Sequence, residues 1–212
     1  IRYELVKLVL KFIGRRNSMS KRVFVSADWK EPFDSHSWDK EVVDRIRKWK
    51  DDSRYGVDLI CTDDVHNSVT RKEDCRRCDI KEECGRYIKS SSVVIFVVGD
   101  NTGSKKAGGC DGVACSPAYS GLQKRYCNSY LTNQISNWKG MSYLEYEITT
   151  AVLEKKNIVL VFNSVYKQEN WIPTWYKSLL RNYNVNELYR VAFWKDRNHT
   201  QDCYQDIKAY LQ

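Results

Sequence analysis

The chain has 212 residues, of which 42% are hydrophobic and 29% are charged, with a formal net charge of +8 at pH 7. This composition predicts a soluble globular protein with a substantial core. The basic residues are spread along the chain, which disfavours nucleic acid as a partner. No run approaches the ~18 consecutive apolar residues that a bilayer span requires, so we expect no membrane association.

Residues 1–18 carry an amphipathic pattern of their own. Apolar residues recur there at helical spacing: Leu5, Leu8, Val9, Phe12 and Ile13. The segment lacks the small-residue cleavage site of a secretory signal, so we expect a cytoplasmic protein with reduced cysteines. Residues 1–18 are therefore interpreted as an N-terminal helix or extension, and residues 19–212 as one domain.

From residue 22 onward, apolar strand-like runs alternate with helical patterns. The runs are RVFVS (22–26), VDLIC (57–61), VVIFVVG (93–99), IVLVF (158–162) and YRVAFW (189–194). The middle runs are apolar at nearly every position, as in strands buried on both faces. This pattern predicts an α/β fold: a flavodoxin-like, doubly wound sheet of five mostly parallel strands with helices on both faces.

The helices between these strands are predicted at 38–49, 80–89, 143–156 and 172–181, with a last one from about residue 202. In such sheets, ligands bind at the carboxyl ends of the strands. The connection at about 100–141 is far longer than usual in an α/β unit. We interpret it as a cysteine-rich insert that is functional or separately stabilised.

The helix after the insert begins with two glutamates. Ser142 followed by Glu145 is typical of a capping box, which gives Glu145 a structural role. Glu147 falls at the edge of the apolar stripe formed by Leu144 and Ile148. A carboxylate beside buried apolar surface requires a partner or a function, so Glu147 is the candidate functional residue. The alternative is a boundary glutamate whose head group reaches water.

Five cysteines have spacing that suits a metal. Cys75 and Cys78 form a C-x-x-C pair, and Cys110, Cys115 and Cys127 lie in the insert. Four thiolates can hold one structural zinc ion. We predict zinc ligands at Cys75, Cys78, Cys110 and Cys115, with Cys127 as an alternative.

The other three cysteines are predicted to be buried thiols: Cys61, Cys84 and Cys203. Cys84 is excluded from the zinc ligands because it shares an apolar helix face with Ile80 and Ile88. The histidines show no ligand spacing among themselves, so the sequence predicts neither a catalytic metal nor a Cys/His nucleophilic site.

Three stretches resemble a TIR domain, in particular the bacterial TIR-like proteins of Thoeris anti-phage systems. They are KRVFVSADWK (21–30), IKSSSVVIFVVGDNT (88–102) and SYLEYEITTAVLEKKNIVLVF (142–162). In that family an aromatic residue, often tryptophan, stands four residues before a glutamate. Tyr143 and Glu147 occupy those places here, and tyrosine also offers a flat face for stacking on a base. The resemblance extends from residue 21 to the end of the chain, but the cysteine-bearing insert is not a general TIR feature.

The resemblance implies an NAD glycohydrolase or cyclase, with NAD as substrate and Glu147 as the catalytic residue. The nicotinamide of NAD is a cationic ring that departs neutral, so cleavage of its N-glycosidic bond needs no general acid. One carboxylate can bind the ribose hydroxyls and stabilise the oxocarbenium charge. The implied product is a linear or cyclic ADP-ribose signal for a downstream effector protein, and assembly into a homo-oligomer stays open.

The loop after the first strand, SADWKEPFDSHSW (26–38), is expected to form another wall of the pocket. Ser26 and Asp28 are candidates to bind ribose or phosphate, and Trp29 and Phe33 are candidates to stack on a ring. Alternatively, Trp29 and Phe33 merely cover the sheet edge, and another residue of the loop caps the next helix.

Two other functions stay open. The first is a non-catalytic TIR-like interaction module whose basic, zinc-stapled insert binds a protein or a nucleic acid. The second is cleavage of a nucleoside or another nucleotide, since the same fold and a single carboxylate would suit that reaction too.

Overall fold

The computed structural model describes residues 22–27, 38–52, 54–68, 76–100, 102, 108, 138, 140–164, 167–183, 189–193, 204–205 and 208. The N-terminal helix predicted within residues 1–18 and most of the insert at about 100–141 lie outside the described residues. Of the last predicted helix, residues 204, 205 and 208 are described, and they are helical.

Five strands and five α-helices are described. The strands are β1 (Arg22–Ser26), β2 (Asp58–Cys61), β3 (Val93–Val98), β4 (Asn157–Phe162) and β5 (Tyr189–Phe193). The helices are α1 (Trp38–Asp51), α2 (Thr62–Ser68), α3 (Arg76–Ser90), α4 (Tyr143–Leu153) and α5 (Thr174–Tyr183), and a 3₁₀ turn spans Glu169–Trp171. The sequence did not predict α2 or the first turn of α3, because polar residues there obscure the helical periodicity.

The strands form one sheet in the order β2-β1-β3-β4-β5, and every neighbouring pair is parallel. This is the flavodoxin-like order, in which the chain winds outward in both directions from the boundary between β1 and β3. The predicted parallel α/β sheet is therefore confirmed. Ligand sites in such sheets lie near that boundary, at the carboxyl ends of the strands.

Apolar side chains cover both faces of the sheet. All six residues of β3 are buried. Val93, Ile95 and Val97 pack on one face with residues of α1, including Ile46 and Trp49. Val94, Phe96 and Val98 pack on the other face with residues of α2 to α5, including Ile148 and Tyr176. The prediction of helices on both faces is confirmed, and it explains why the central strands are apolar throughout.

Helix α4 begins at a side-chain cap. The backbone N–H of Glu145 donates to the hydroxyl of Ser142 at 3.1 Å, so the Ser142 half of the predicted capping box is confirmed. The helix contacts α3 and α5 as well as β1 and β4. It is consequently buried around most of its circumference, beyond the single stripe that its sequence predicted.

Among the described residues, none of the helices combines the length and the apolar character that crossing a bilayer demands.

Candidate functional site

Glu147 lies in the interior of the protein, with 1% of its surface exposed. The sequence placed it at the edge of an apolar stripe, with solvent within reach of its head group in one interpretation. Only the second expectation is wrong, because α3 and α5 cover the flanks of α4, so that the stripe edge lies inside the fold and the head group is away from solvent. A carboxylate at such a place depends on polar partners.

Two hydroxyl groups hold one oxygen of this carboxylate. The hydroxyl of Ser26 donates to Oε2 of Glu147 at 2.6 Å. The hydroxyl of Thr62 lies 3.0 Å from the same oxygen and 3.0 Å from the carbonyl oxygen of Val25. Hydrogen bonds to a charged oxygen are short and strong, so these groups fix where the carboxylate sits.

The parallel sheet places both hydroxyls. Ser26 is the last residue of β1 and Thr62 directly follows β2, and Val25 pairs with Cys61 across the two strands. The residues after that pair therefore emerge side by side at the carboxyl edge of the sheet. Glu147 reaches them from the second turn of α4.

Cys84 approaches the carboxylate from α3, and its thiol is hydrogen-bonded to Glu147. Burial, together with the charge and the hydrogen bond of Glu147, raises the pKa of this thiol well above its ordinary value. The free thiol of Cys84 is consequently protonated and is no thiolate nucleophile. Cys61 and Cys84 are both buried, as predicted.

Tyr143 is packed between two parts of the chain. Its ring centroid lies 4.5 Å from that of His66, with 59° between the ring planes. On another side is Gly108, whose φ is +88°, and a Cβ there would lie 2.6 Å from the Tyr143 ring. The aromatic residue of the predicted motif is thus held in place one helical turn before Glu147.

Of the other predicted site residues, Asp28, Trp29 and Phe33 lie outside the described residues. Ser26 is fully buried and bonds to Glu147, which gives it a role in holding the carboxylate that the sequence did not indicate. Binding of ribose or phosphate by Ser26 stays a prediction.

The predicted zinc site is described at a single ligand. Cys78 is buried in a cluster with Trp138 and Tyr146. The other candidate ligands lie outside the described residues: Cys75, Cys110, Cys115 and Cys127. The structural zinc ion stays a prediction.

Within the described part of the chain, two other groups bring metal-binding atoms together. One consists of His66, Cys84 and Glu147, and the other of Cys61, Asp63 and Asp64. The sequence did not predict the first group, because the histidines were compared only with each other and Cys84 was assigned to the core.

A second buried carboxylate occupies the opposite face of the sheet. Asp39, in the first turn of α1, is 6% exposed and accepts a hydrogen bond from the side-chain amide of Asn163 at 3.1 Å. A Cβ at Gly99, which follows β3, would lie 2.2 Å from an oxygen of Asp39. The backbone N–H of Gly99 donates to the hydroxyl of Thr102 at 2.7 Å.

A buried lysine fixes the chain just before α4. Lys81, in α3, is 1% exposed. Its ammonium donates to the carbonyl oxygens of Met141 at 2.6 Å and Trp138 at 3.0 Å. The same group lies 5.8 Å from the centroid of the Trp138 ring, a distance that suits a cation–π contact. The chain therefore enters α4 from an anchored position.

Sequence reasoning found Glu147, Ser26 and Tyr143 but missed Thr62, His66 and Cys84. Thr62 did carry a signal, because small hydroxyl residues after two neighbouring parallel strands are expected to meet at the same edge. His66 carried none, since α2 itself was not predicted. Cys84 was read correctly as buried, but its contact with Glu147 depends on how α3 packs against α4.

No protein-family model matches the chain, and no curated protein matches it by sequence. A solved structure described as that of a Clostridium botulinum CMP N-glycosidase, BcmB, is similar with 14% identity and a TM-score of 0.45, covering 90% of this chain and 99% of that one. At this level of likeness, function has to be argued from the site itself. Fold and site together define a parallel α/β protein with a buried, hydroxyl-bound carboxylate at the carboxyl edge of its sheet.

Proposed function

We propose that the chain is an enzyme that cleaves the N-glycosidic bond of a nucleotide, with NAD as the substrate and Glu147 as the catalytic carboxylate. The supporting observation is the position of Glu147: it is buried, yet it stands where β1 and β2 end and is held there by Ser26 and Thr62. Ligands of flavodoxin-like sheets bind at this edge.

The chemistry fits a single carboxylate. When the bond between C1′ and the nicotinamide nitrogen breaks, its electron pair neutralises the pyridinium ring and leaves an oxocarbenium ion on the ribose. The carboxylate stabilises that cation, and its effect is stronger away from bulk water. Water then adds at C1′ and releases a proton to solvent, or a nucleophile of the same molecule closes a cyclic product.

Leaving-group chemistry favours NAD over an ordinary nucleotide. A neutral base departs with the electron pair of the broken bond and needs a proton from a general acid. Nicotinamide needs none. Contrary to the sequence-based expectation, a single carboxylate is then not enough for nucleoside monophosphates, whereas it is enough for NAD.

Ser26 and Thr62 act as positioning residues in this proposal. Their hydroxyls are engaged with Oε2, which fixes the plane of the carboxylate before substrate arrives. Preorganised charge of this kind lowers a barrier without reorganisation during the reaction. Tyr143, half-buried one turn before Glu147, is the candidate to stack on the nicotinamide ring or the adenine.

The resemblance of the Tyr143–Glu147 segment to TIR domains supports a more specific form of the proposal, with four elements. These are a cytoplasmic NAD glycohydrolase or cyclase of Thoeris-type anti-phage defence, an ADP-ribose-type signal, an effector that receives it, and activity that rises with assembly of the chain into a homo-oligomer.

The test is a mass-spectrometric time course of NAD with the wild-type chain, Glu147→Gln and the matched control Glu145→Gln. The proteins are compared at high concentration so that assembly is permitted. We expect wild type and Glu145→Gln to release nicotinamide and Glu147→Gln to release none. The mass of the second product distinguishes hydrolysis from cyclisation.

Nicotinamide release by Glu147→Gln at the wild-type rate would remove Glu147 from the mechanism. A parallel reaction with nucleoside 5′-monophosphates tests the substrate class, because release of a free base there, without loss of NAD, would replace NAD as the substrate. No turnover of any nucleotide by the assembled chain would favour the interaction module.

A further inference from the structure

Three side chains of metal-binding type converge in the interior. The ligand atoms of His66, Cys84 and Glu147 all lie within 4.8 Å of one another. The residues belong to α2, α3 and α4, so folding brings together a nitrogen, a sulfur and a carboxylate oxygen. We propose that these three side chains form a binding site for a divalent transition-metal ion of the zinc type.

The distances suit such an ion. When three atoms lie within 4.8 Å of one another, a point within about 2.8 Å of all three exists. Zinc bonds measure about 2.3 Å to sulfur and about 2.0–2.2 Å to nitrogen or oxygen, so each ligand has to move by less than about 1 Å. A fourth, tetrahedral position is left for water or another ligand.

The donor set suits the charge of the ion. On binding, the S–H bond of Cys84 is replaced by a bond from sulfur to the metal, and the proton passes to solvent, with no change of oxidation state. The thiolate and the carboxylate of Glu147 together neutralise a divalent cation, while the imidazole of His66 binds as a neutral ligand. Glu147 cannot serve the bound ion and the ribose cation at once, so the metal-loaded chain is expected not to cleave NAD. A buried ion compensated in this way avoids the cost of an isolated charge.

The surroundings already orient the carboxylate. Ser26 and Thr62 place their hydroxyls on Oε2 of Glu147 at 2.6 and 3.0 Å, and outer hydrogen bonds of this kind orient metal-binding carboxylates. Cys84 and Glu147 are buried, and His66 is half-buried. His66 is thus the ligand nearest to solvent.

The second group offers an internal comparison. Cys61, Asp63 and Asp64 also lie close together. Arg47, however, forms ion pairs with both carboxylates, at 2.5 Å to Asp63 and 3.3 Å to Asp64. The guanidinium already supplies the positive charge there, so we expect the metal at the first group.

The test is a Co²⁺ titration of the full chain after removal of bound metal with a chelator. Co²⁺ occupies zinc sites, and a thiolate ligand gives it a charge-transfer absorption that reports the bond to sulfur. Metal analysis after gel filtration counts the ions in wild type, Cys84→Ala and the matched control Cys61→Ala, which also removes a buried thiol. Circular dichroism establishes that each variant is folded.

We expect Cys84→Ala to bind about one Co²⁺ fewer per chain than wild type, and Cys61→Ala to bind as many as wild type. His66→Gln, which changes the half-buried ligand, provides a second variant if Cys84→Ala does not fold. It should weaken binding of the same ion at least about tenfold. The proposed site would be overturned if wild type and the folded variants at Cys84 or His66 bound Co²⁺ in equal number and with equal affinity. It would also be overturned if the wild-type chain bound no Co²⁺. Since the ions are counted without NAD, this outcome is independent of the proposed glycosidic activity.

Discussion

The two faces of the sheet each bury a carboxylate near its carboxyl edge, but for different reasons. Asp39 stands in the first turn of α1, where a negative charge is stabilised by the free N–H groups of the helix, and Asn163 donates to it. Glu147 lies beyond the first turn of α4, whose start is capped by Ser142, and strand-end hydroxyls hold it.

Burial of a carboxylate is therefore not by itself a sign of function. Asp39 has a sufficient structural explanation in the start of its helix. Glu147 has no such explanation, and the residues that hold it come from distant parts of the chain. The following variants test whether the two carboxylates differ as this comparison requires.

Turnover should separate the two carboxylates most strongly. Changing Glu147 to Gln keeps the side-chain volume but removes the charge, so kcat should fall at least about 100-fold. Asp39→Asn makes the same chemical change on the other face and should alter kcat less than about threefold. Initial rates of nicotinamide release measure both, and a larger loss in Asp39→Asn would reverse the comparison.

Substitutions at two closely packed glycines should lower stability. A Cβ at Gly99 meets the Asp39 carboxylate at 2.2 Å, whereas one at Gly108 meets the Tyr143 ring at 2.6 Å. Gly99→Ala should lower the free energy of unfolding by about 1–3 kcal/mol, since the carboxylate is held on several sides. Gly108→Ala should cost about 1 kcal/mol for its positive φ and should also displace Tyr143.

Urea unfolding measures both losses, and NAD kinetics separate them. The KM for NAD should rise in Gly108→Ala, because Tyr143 moves, and should stay unchanged in Gly99→Ala. An increase confined to Gly99→Ala would place the substrate on the Asp39 face.

Removing one hydrogen-bond donor from each carboxylate tests the role of its partners. Ser26→Ala leaves Glu147 with one hydroxyl fewer, which should cost about 1–2 kcal/mol of stability and lower kcat about tenfold with little change in KM. Asn163→Ala should cost a similar free energy and leave kcat unchanged. A positioning role for Ser26 would be contradicted by a stability loss without any loss of kcat.

The buried thiols give a further effect, on the pH dependence of stability. Burial raises the pKa of Cys61 and of Cys84 above the ordinary value of 9.0. Above pH 9 the unfolded chain loses these protons while the folded chain keeps them, so the free energy of unfolding should fall as pH rises. Each thiol contributes up to about 1.4 kcal/mol per pH unit.

Urea unfolding at pH 8, 9 and 10 under reducing conditions measures this slope. In Cys84→Ala the free energy of unfolding should fall less steeply with pH, because one buried thiol is missing. A slope equal to that of the wild type would mean that Cys84 ionises in the folded protein as readily as in the unfolded chain.

The sequence predicted the parallel sheet because β3 and β4 are apolar at nearly every position, which is a local property. It predicted the location of Glu147 along α4 but not its depth, because a helical pattern shows one helix and not the neighbours that cover it. Thr62 and Cys84 reach Glu147 through strand register and helix packing. Those depend on the whole fold, so no local pattern could supply them.

Lys81 has a consequence for how freely this protein can change. Its two hydrogen bonds to the carbonyl oxygens of Trp138 and Met141 fix the chain just before α4. Lengthening a connection raises its closure entropy only slowly. Changes in the length of the connection between residues 108 and 138 should therefore leave Tyr143 and Glu147 in the same place.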